Sequence, residues 1–169
     1  MIKIVQGGQT GVDRGAWRGA VECGLERGGW MPADGCDELG LIPNEARSDL
    51  RPALNGGGNR ARTIANILDS DAVLIVVPDA AKGCTTPGTR LTWKQARDKD
   101  KPRLVIDGSD RQVAHVAPWL RELLERWSRD TDSAIRLFRL MLAGPRASLW
   151  PEGEETARRV VHAIAEVCR

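Results

Sequence analysis

Three glycine-rich turns carry the residue types that could bind an oxyanion. They are Gly7-Gly8-Gln9-Thr10-Gly11, Gly83-Cys84-Thr85-Thr86-Pro87-Gly88-Thr89 and Gly144-Pro145-Arg146-Ala147-Ser148. Glycine lets backbone amides approach an anion closely, and the Thr and Ser hydroxyls can donate hydrogen bonds to it. A single helix N-terminus offers an anion about 0.3–1 kcal/mol, and each hydrogen bond to a charged group about 1.5–3 kcal/mol, so binding needs several turns at one pocket. Arg146 is the expected counter-charge, because its planar fork holds a phosphate or a molybdate-like oxyanion through two parallel hydrogen bonds.

Other residues have two readings each. Asp13 could orient a ligand or cap a helix by its place in a first turn. Trp30 could stack on a planar ring or pack as a lid. Gly83 to Gly88 has the glycine spacing of a phosphate loop, but Thr89-Arg90 stands where Lys-Ser/Thr is required, which argues against an ATPase of that kind. Cys84 and Cys36 have no histidine nearby in sequence to activate them and read as passive thiols. Neither His115 nor His162 has a ligand partner at metal-site spacing, so no protein-ligated metal is expected.

The elements that must position these turns follow from the apolar pattern. Ile2 to Val5 reads as a buried strand, and Val12 to Leu25 as a helix. Residues 28–52, rich in Gly, Pro, Asp and Asn, read as a long surface excursion. A helix is expected over Asn59 to Leu68. Ala72 to Val77, an unbroken apolar run, is expected as a strand covered on both faces. A helix beginning at Leu91 precedes a strand at Arg103 to Ile106. Val113, Val116, Leu120, Leu123, Leu124 and Trp127 mark an amphipathic helix. Ile135 to Leu142 is the last strand, and a final helix follows the acidic Glu152, Glu154 and Glu155. This alternation predicts a doubly wound, mostly parallel α/β sheet with helices on both faces, a three-layer sandwich whose ligands sit beyond the carboxyl ends of the strands.

With 169 residues, 41% of them apolar and 28% charged, the chain reads as one globular domain over 1–169. Its formal net charge of +2 is too small to imply nucleic acid or an anionic membrane as partner. Four cysteines without a CxxC pair, and an apolar strand at the start in place of a signal segment, point to a reducing cytoplasmic setting. The absence of Tyr removes that residue as a catalytic acid.

Gly7-Gly8-Gln9-Thr10-Gly11-Val12-Asp13-Arg14, Gly28-Gly29-Trp30 with Pro32, Arg62-Thr63 with Asn66 and Asp69-Ser70-Asp71, Gly88-Thr89 with Leu91-Thr92, and Ala143-Gly144-Pro145-Arg146 together resemble the molybdenum carrier family, the circularly permuted YpsA-like branch of the SLOG group of Rossmann-like proteins. The resemblance spans nearly the whole chain. It implies a homo-oligomer, dimer or tetramer, with a pocket for a phosphorylated ligand. Molybdenum cofactor (molybdopterin) or a nucleotide is the implied ligand, and a molybdoenzyme or a cofactor-synthesis protein is an implied partner. Gly7 to Gly11, Asp13, Gly88, Thr89, Gly144, Pro145 and Arg146 are the implied ligand-facing positions; Trp30, Gly83 and Ser148 join them from the residue reading. Two departures stand out. Pro32 is followed by Ala33-Asp34-Gly35-Cys36 where the family often has a basic Pro-Lys-Gly-Arg type run. Thr92 stands where phosphoribohydrolase relatives carry a catalytic glutamate, and a hydroxyl cannot replace a carboxylate in acid/base work at neutral pH. The expectation is therefore a ligand-binding carrier. The alternatives are a nucleotide-monophosphate phosphoribohydrolase using Asp13 or Asp79, and a nucleotide-sensing module.

Overall fold

Every strand of the main sheet runs in the same direction. The computed structural model describes residues 1–130 and 136–168. Its six-stranded sheet has the spatial order β5 (Leu50–Pro52), β2 (Glu26–Met31), β1 (Ile2–Val5), β8 (Phe138–Ala143), β6 (Ala72–Val76) and β7 (Arg103–Ile106), parallel throughout. A separate two-stranded hairpin, β3 (Cys36–Asp37) and β4 (Gly40–Leu41), stands apart from it.

The strand alternation divides the core into two layers. Ile2, Ile4, Leu74, Val76, Ile106, Leu140 and Leu142 face one side, packed on α1 (Val12–Glu22), α6 (Val116–Asp130) and α7 (Gly153–Val167). Val5, Val73, Ile75, Val77 and Met141 face the other, against Ile67 of α3 (Asn59–Leu68) and Ala96 of α4 (Pro87–Asp98). Such a sheet, buried on both faces, explains why β6 is an unbroken apolar run. α1 lies close against α7, where a Cβ on Gly19 would stand 2.7 Å from the Cβ of Val161. Larger residues there would push the two helices apart.

Several expectations need correction. The 28–52 excursion contains two sheet strands, β2 and β5, as well as the hairpin and the short α2 (Asn44–Arg47). β2 lacks β-branched residues; its glycines admit it instead, since a Cβ on Gly29 would collide with the carbonyl oxygen of Gln6, the residue that follows the neighbouring strand β1. Asn66 then clamps the strand, accepting from Trp30 N at 2.8 Å and donating to Trp30 O at 2.9 Å. Second, α4 begins at Pro87 and not at Leu91. Thr86 caps it, accepting from Thr89 N at 3.2 Å, with Pro87 at the first helical position, where its missing N–H costs nothing. Third, the stretch after residue 110 is two helices, α5 (Asp110–Val113) and α6, and α1 stops at Glu22. β8 begins at Phe138; the Ile135 start expected for it lies outside the described residues. No helix among the described residues is long and apolar enough to cross a membrane.

Candidate functional site

β1 and β8 are neighbours at the centre of the sheet, so the turns that leave their carboxyl ends meet. Val12 N donates to Pro145 O at 3.3 Å, and Ala147 N donates to the Thr10 hydroxyl at 3.1 Å. Gly11, at φ +69, has no room for a side chain: a Cβ would lie 2.6 Å from Pro145 O and 2.7 Å from Ala147 N. Gly144 is equally enclosed, by Val12 and the carbonyl of Val76. These two glycines serve the contact between the turns.

Much of the polar capacity of the first turn is spent internally. Gly8 N donates to Gln6 Oε1 at 2.6 Å and Gln9 N to Asp13 Oδ2 at 3.2 Å. The same Asp13 oxygen accepts from Arg62 Nη1 at 2.8 Å, in a pair whose side chains are only 6% and 12% exposed. Arg62 Nε is buried and has no hydrogen-bond partner among the described residues.

Arg62 brings α3 to the site. A cleft of about 290 Å³ opens between the start of α3 (Asn59, Arg60, Arg62, Thr63), the start of α4 (Thr86, Pro87, Gly88, Leu91), the 144–149 turn and Gln9. Gln9 Nε2 donates to Asn59 Oδ1 at 2.9 Å across one wall. Both helices present their N-termini with no acidic residue in the first turn, and α3 has Gly58 at its N-cap with no side-chain cap. α1 and α7 differ, carrying Asp13 and Glu154-Glu155 in their first turns. The positive ends of α3 and α4 are therefore left without a carboxylate of their own. Gly88 adds open space, since a Cβ there would touch nothing within 4 Å.

Of the residues expected from sequence, Gln9, Gly88, Gly144, Pro145 and Arg146 line this cleft. Gly7 lies directly behind Arg62, where a Cβ would overlap the guanidinium, and Asp13 pairs with that same Arg62. Gly8 faces the apolar Ile42 and Leu50. Thr89 is buried inside the α4 cap, its hydroxyl donating to Thr86 O at 3.1 Å. Thr92 is buried as well, donating to Gly88 O at 3.0 Å. Two expected residues lie apart from the cleft. Gly83 lines a different groove, with Cys84, Trp93, Lys94 and Arg97, where burial pushes the Cys84 thiol up from its ordinary value. Trp30 sits under the Arg51 guanidinium, 4.2 Å from its ring centroid.

Thr10 and Ser148 form a second polar spot beside the cleft, and it is filled by Glu38 from the β3–β4 tip. Glu38 Oε1 accepts from the Thr10 hydroxyl and from Ser148 N at 3.0 Å, while Oε2 accepts from the Ser148 hydroxyl and lies 3.6 Å from Arg146 Nε. Burial raises the Glu38 carboxyl, but the donors from Ser148 and Thr10 and the charge of Arg146 outweigh it and leave the group below its ordinary value.

Sequence reasoning missed Glu38, Asn59, Arg60 and the role of Arg62. The Gly56-Gly57-Gly58 run before Asn59 was the available signal for α3, a glycine loop feeding a helix start. Nothing local marked Glu38. Among the described residues no group of three or more His, Cys, Asp or Glu side chains is gathered to hold a metal ion.

The comparisons agree with this architecture. The crystal structure of a "Putative molybdenum carrier protein" from Syntrophus aciditrophicus superposes with a TM-score of 0.77 at 30% identity, over 96% of this chain and 94% of that one. No curated protein matches. The family described as circularly permutated YpsA SLOG matches residues 4–165, nearly the whole chain, and the protein belongs to it.

Proposed function

We propose that the cleft binds a phosphorylated heterocycle, with molybdenum cofactor as the ligand and its carriage or protection as the role. One observation carries this reading: Arg60, Arg62 and Arg146 and the uncompensated N-termini of α3 and α4 surround a single opening. Helix N-termini and arginine forks each meet a phosphate with directed N–H donors and positive charge. At about 290 Å³ the opening is near the small end of ligand pockets, with room for a phosphate and part of a ring, so the rest of the ligand extends outward. The buried, unpartnered Nε of Arg62 is a donor such a ligand could satisfy. The name of the Syntrophus relative supports the choice of a molybdenum-bearing cargo. An exposed cargo suits handover, and a second copy of this chain together with a molybdoenzyme or cofactor-synthesis protein is the proposed assembly, in the cytoplasm.

The side chains favour carriage over hydrolysis. Thr92 spends its hydroxyl on the α4 backbone, and Asp13 is committed to Arg62 and Gln9 N. Asp79 holds Ala81 N and Lys82 in an exposed turn. Molybdenum cofactor or AMP should raise the melting temperature more than the dephosphorylated compound, and equal shifts would refute a phosphate site. Arg146→Ala should weaken binding by about 1.5–3 kcal/mol in a titration; unchanged affinity removes Arg146 from the site. Release of free adenine on incubation with AMP would establish the hydrolase instead.

A further inference from the structure

Glu38 is held as a bound anion is held. Its two oxygens take the Thr10 hydroxyl, Ser148 N and the Ser148 hydroxyl, and face Arg146. These donors come from the two turns that close on each other at the centre of the sheet, and Ala147 N fixes the Thr10 oxygen at 3.1 Å. The nest is thus built by the body of the protein, while its occupant arrives on a hairpin outside the main sheet.

We propose that this nest is a second oxyanion subsite, that Glu38 is its resident competitor, and that a phosphate or similar tetrahedral oxyanion displaces the Glu38 carboxylate to bind there. The fit of Glu38 is incomplete in the direction a larger anion would complete it. Arg146 Nε stands 3.6 Å from Oε2, beyond hydrogen-bonding range, and the arginine is half exposed. A carboxylate is planar and has two oxygens, both already engaged. A tetrahedral anion has a further oxygen for Arg146, and a second negative charge at neutral pH strengthens each of these bonds.

The hairpin is made to release Glu38 without unravelling. The strand leading into Glu38 is pinned by the pair Arg14–Asp37 at 3.0 Å, with the Asp37 side chain 3% and the Arg14 side chain 13% exposed. Past Glu38 the hairpin is loosely packed: Leu39 and Leu41 are exposed, and a Cβ on Gly40, at φ +121, would meet nothing within 4 Å among the described residues. Movement of the Glu38 side chain and the tip therefore exposes little apolar surface. Because Arg146 lines the main cleft as well as this nest, an anion in either place shares its charge. A ligand with two phosphates, or a phosphate and a metal oxyanion, could span both.

The test uses inorganic phosphate as probe, which keeps it separate from the heterocycle reading. If Glu38 fills the nest more than nine-tenths of the time, removing it should tighten phosphate binding at least about tenfold, since apparent affinity scales with the open fraction. Isothermal titration of phosphate into the wild type and Glu38→Ala should show that gain, and adding Ser148→Ala and Thr10→Val to Glu38→Ala should abolish it. Equal phosphate affinity in wild type and Glu38→Ala overturns the proposal and makes Glu38 a plain latch. A gain that survives the Thr10 and Ser148 changes also overturns it, because the phosphate is then elsewhere. Hydrogen exchange on the wild type needs no variant to fold: saturating phosphate should raise exchange at residues 38–40 of the β3–β4 hairpin, and unchanged protection there overturns displacement. Should molybdenum cofactor fail to bind while phosphate behaves as expected, the cargo assignment falls and the subsite stands.

Discussion

The Asp13–Arg62 pair ties the turn after β1 to the helix that opens the cleft, and its removal has a calculable signature. The two groups meet at 2.8 Å with side chains almost fully buried, and Asp13 also accepts from Gln9 N. Deleting one partner leaves the other charge buried and unpaired, which costs about 3–5 kcal/mol. Asp13→Ala carries the further loss of the Gln9 N acceptor and should fall at the upper end of that range. In a chain of this length, a loss of this size lowers the melting temperature by roughly 6–20 °C. Asp13→Ala/Arg62→Ala together should cost less than the sum of the singles by about 1.5–3 kcal/mol, because neither charge is then stranded. Urea denaturation of the four proteins measures the cycle. Additivity within about 0.5 kcal/mol would refute the reasoning, since it would mean that solvent reaches both groups despite the packing of Gly7 against them. The functional corollary is that Asp13→Asn, which keeps the shape and removes a charge beside the cleft, should bind a phosphorylated ligand more tightly than the wild type.

Two further outcomes follow from other parts of the site. Gly88→Leu should fill the cleft while leaving thermal stability within about 1 kcal/mol of wild type, since the position lies in an open first turn of α4; retained ligand binding in a titration would show that the ligand does not enter there. Glu38 has its carboxyl held below the ordinary value near 4.5 in the folded protein. Its contribution to stability is thus complete above that value and lost as pH falls through the lowered folded one. Stability against pH should decline less steeply below about pH 4.5 for Glu38→Gln than for wild type, and parallel acid limbs would show that the nest does not favour the carboxylate.

Read from sequence alone, the chain showed its Rossmann-like alternation, the strands at Ile2–Val5, Ala72–Val77 (observed to Val76) and Arg103–Ile106, and the glycine turns at 7–11 and 144–148. Each rests on a local cause: unbroken apolar runs where both faces of a strand are covered, and glycine where backbones approach closely. The motif resemblance also reached the family that the comparisons show. Tertiary structure decided the rest. β2 is a strand because its glycines fit against Gln6 and Asn66 clamps it, neither of which is visible within Glu26–Met31. Arg62 belongs to the site because α3 is placed opposite a turn 49 residues earlier, and Glu38 reaches Ser148 across 110 residues. Periodicity and propensity describe a residue's neighbours along the chain. A charge pair or an anion nest is made by groups that only the folded sheet brings together, so the sequence offered Thr10, Ser148, Arg146 and Asp13 as candidates but no sign that Glu38 and Arg62 would meet them.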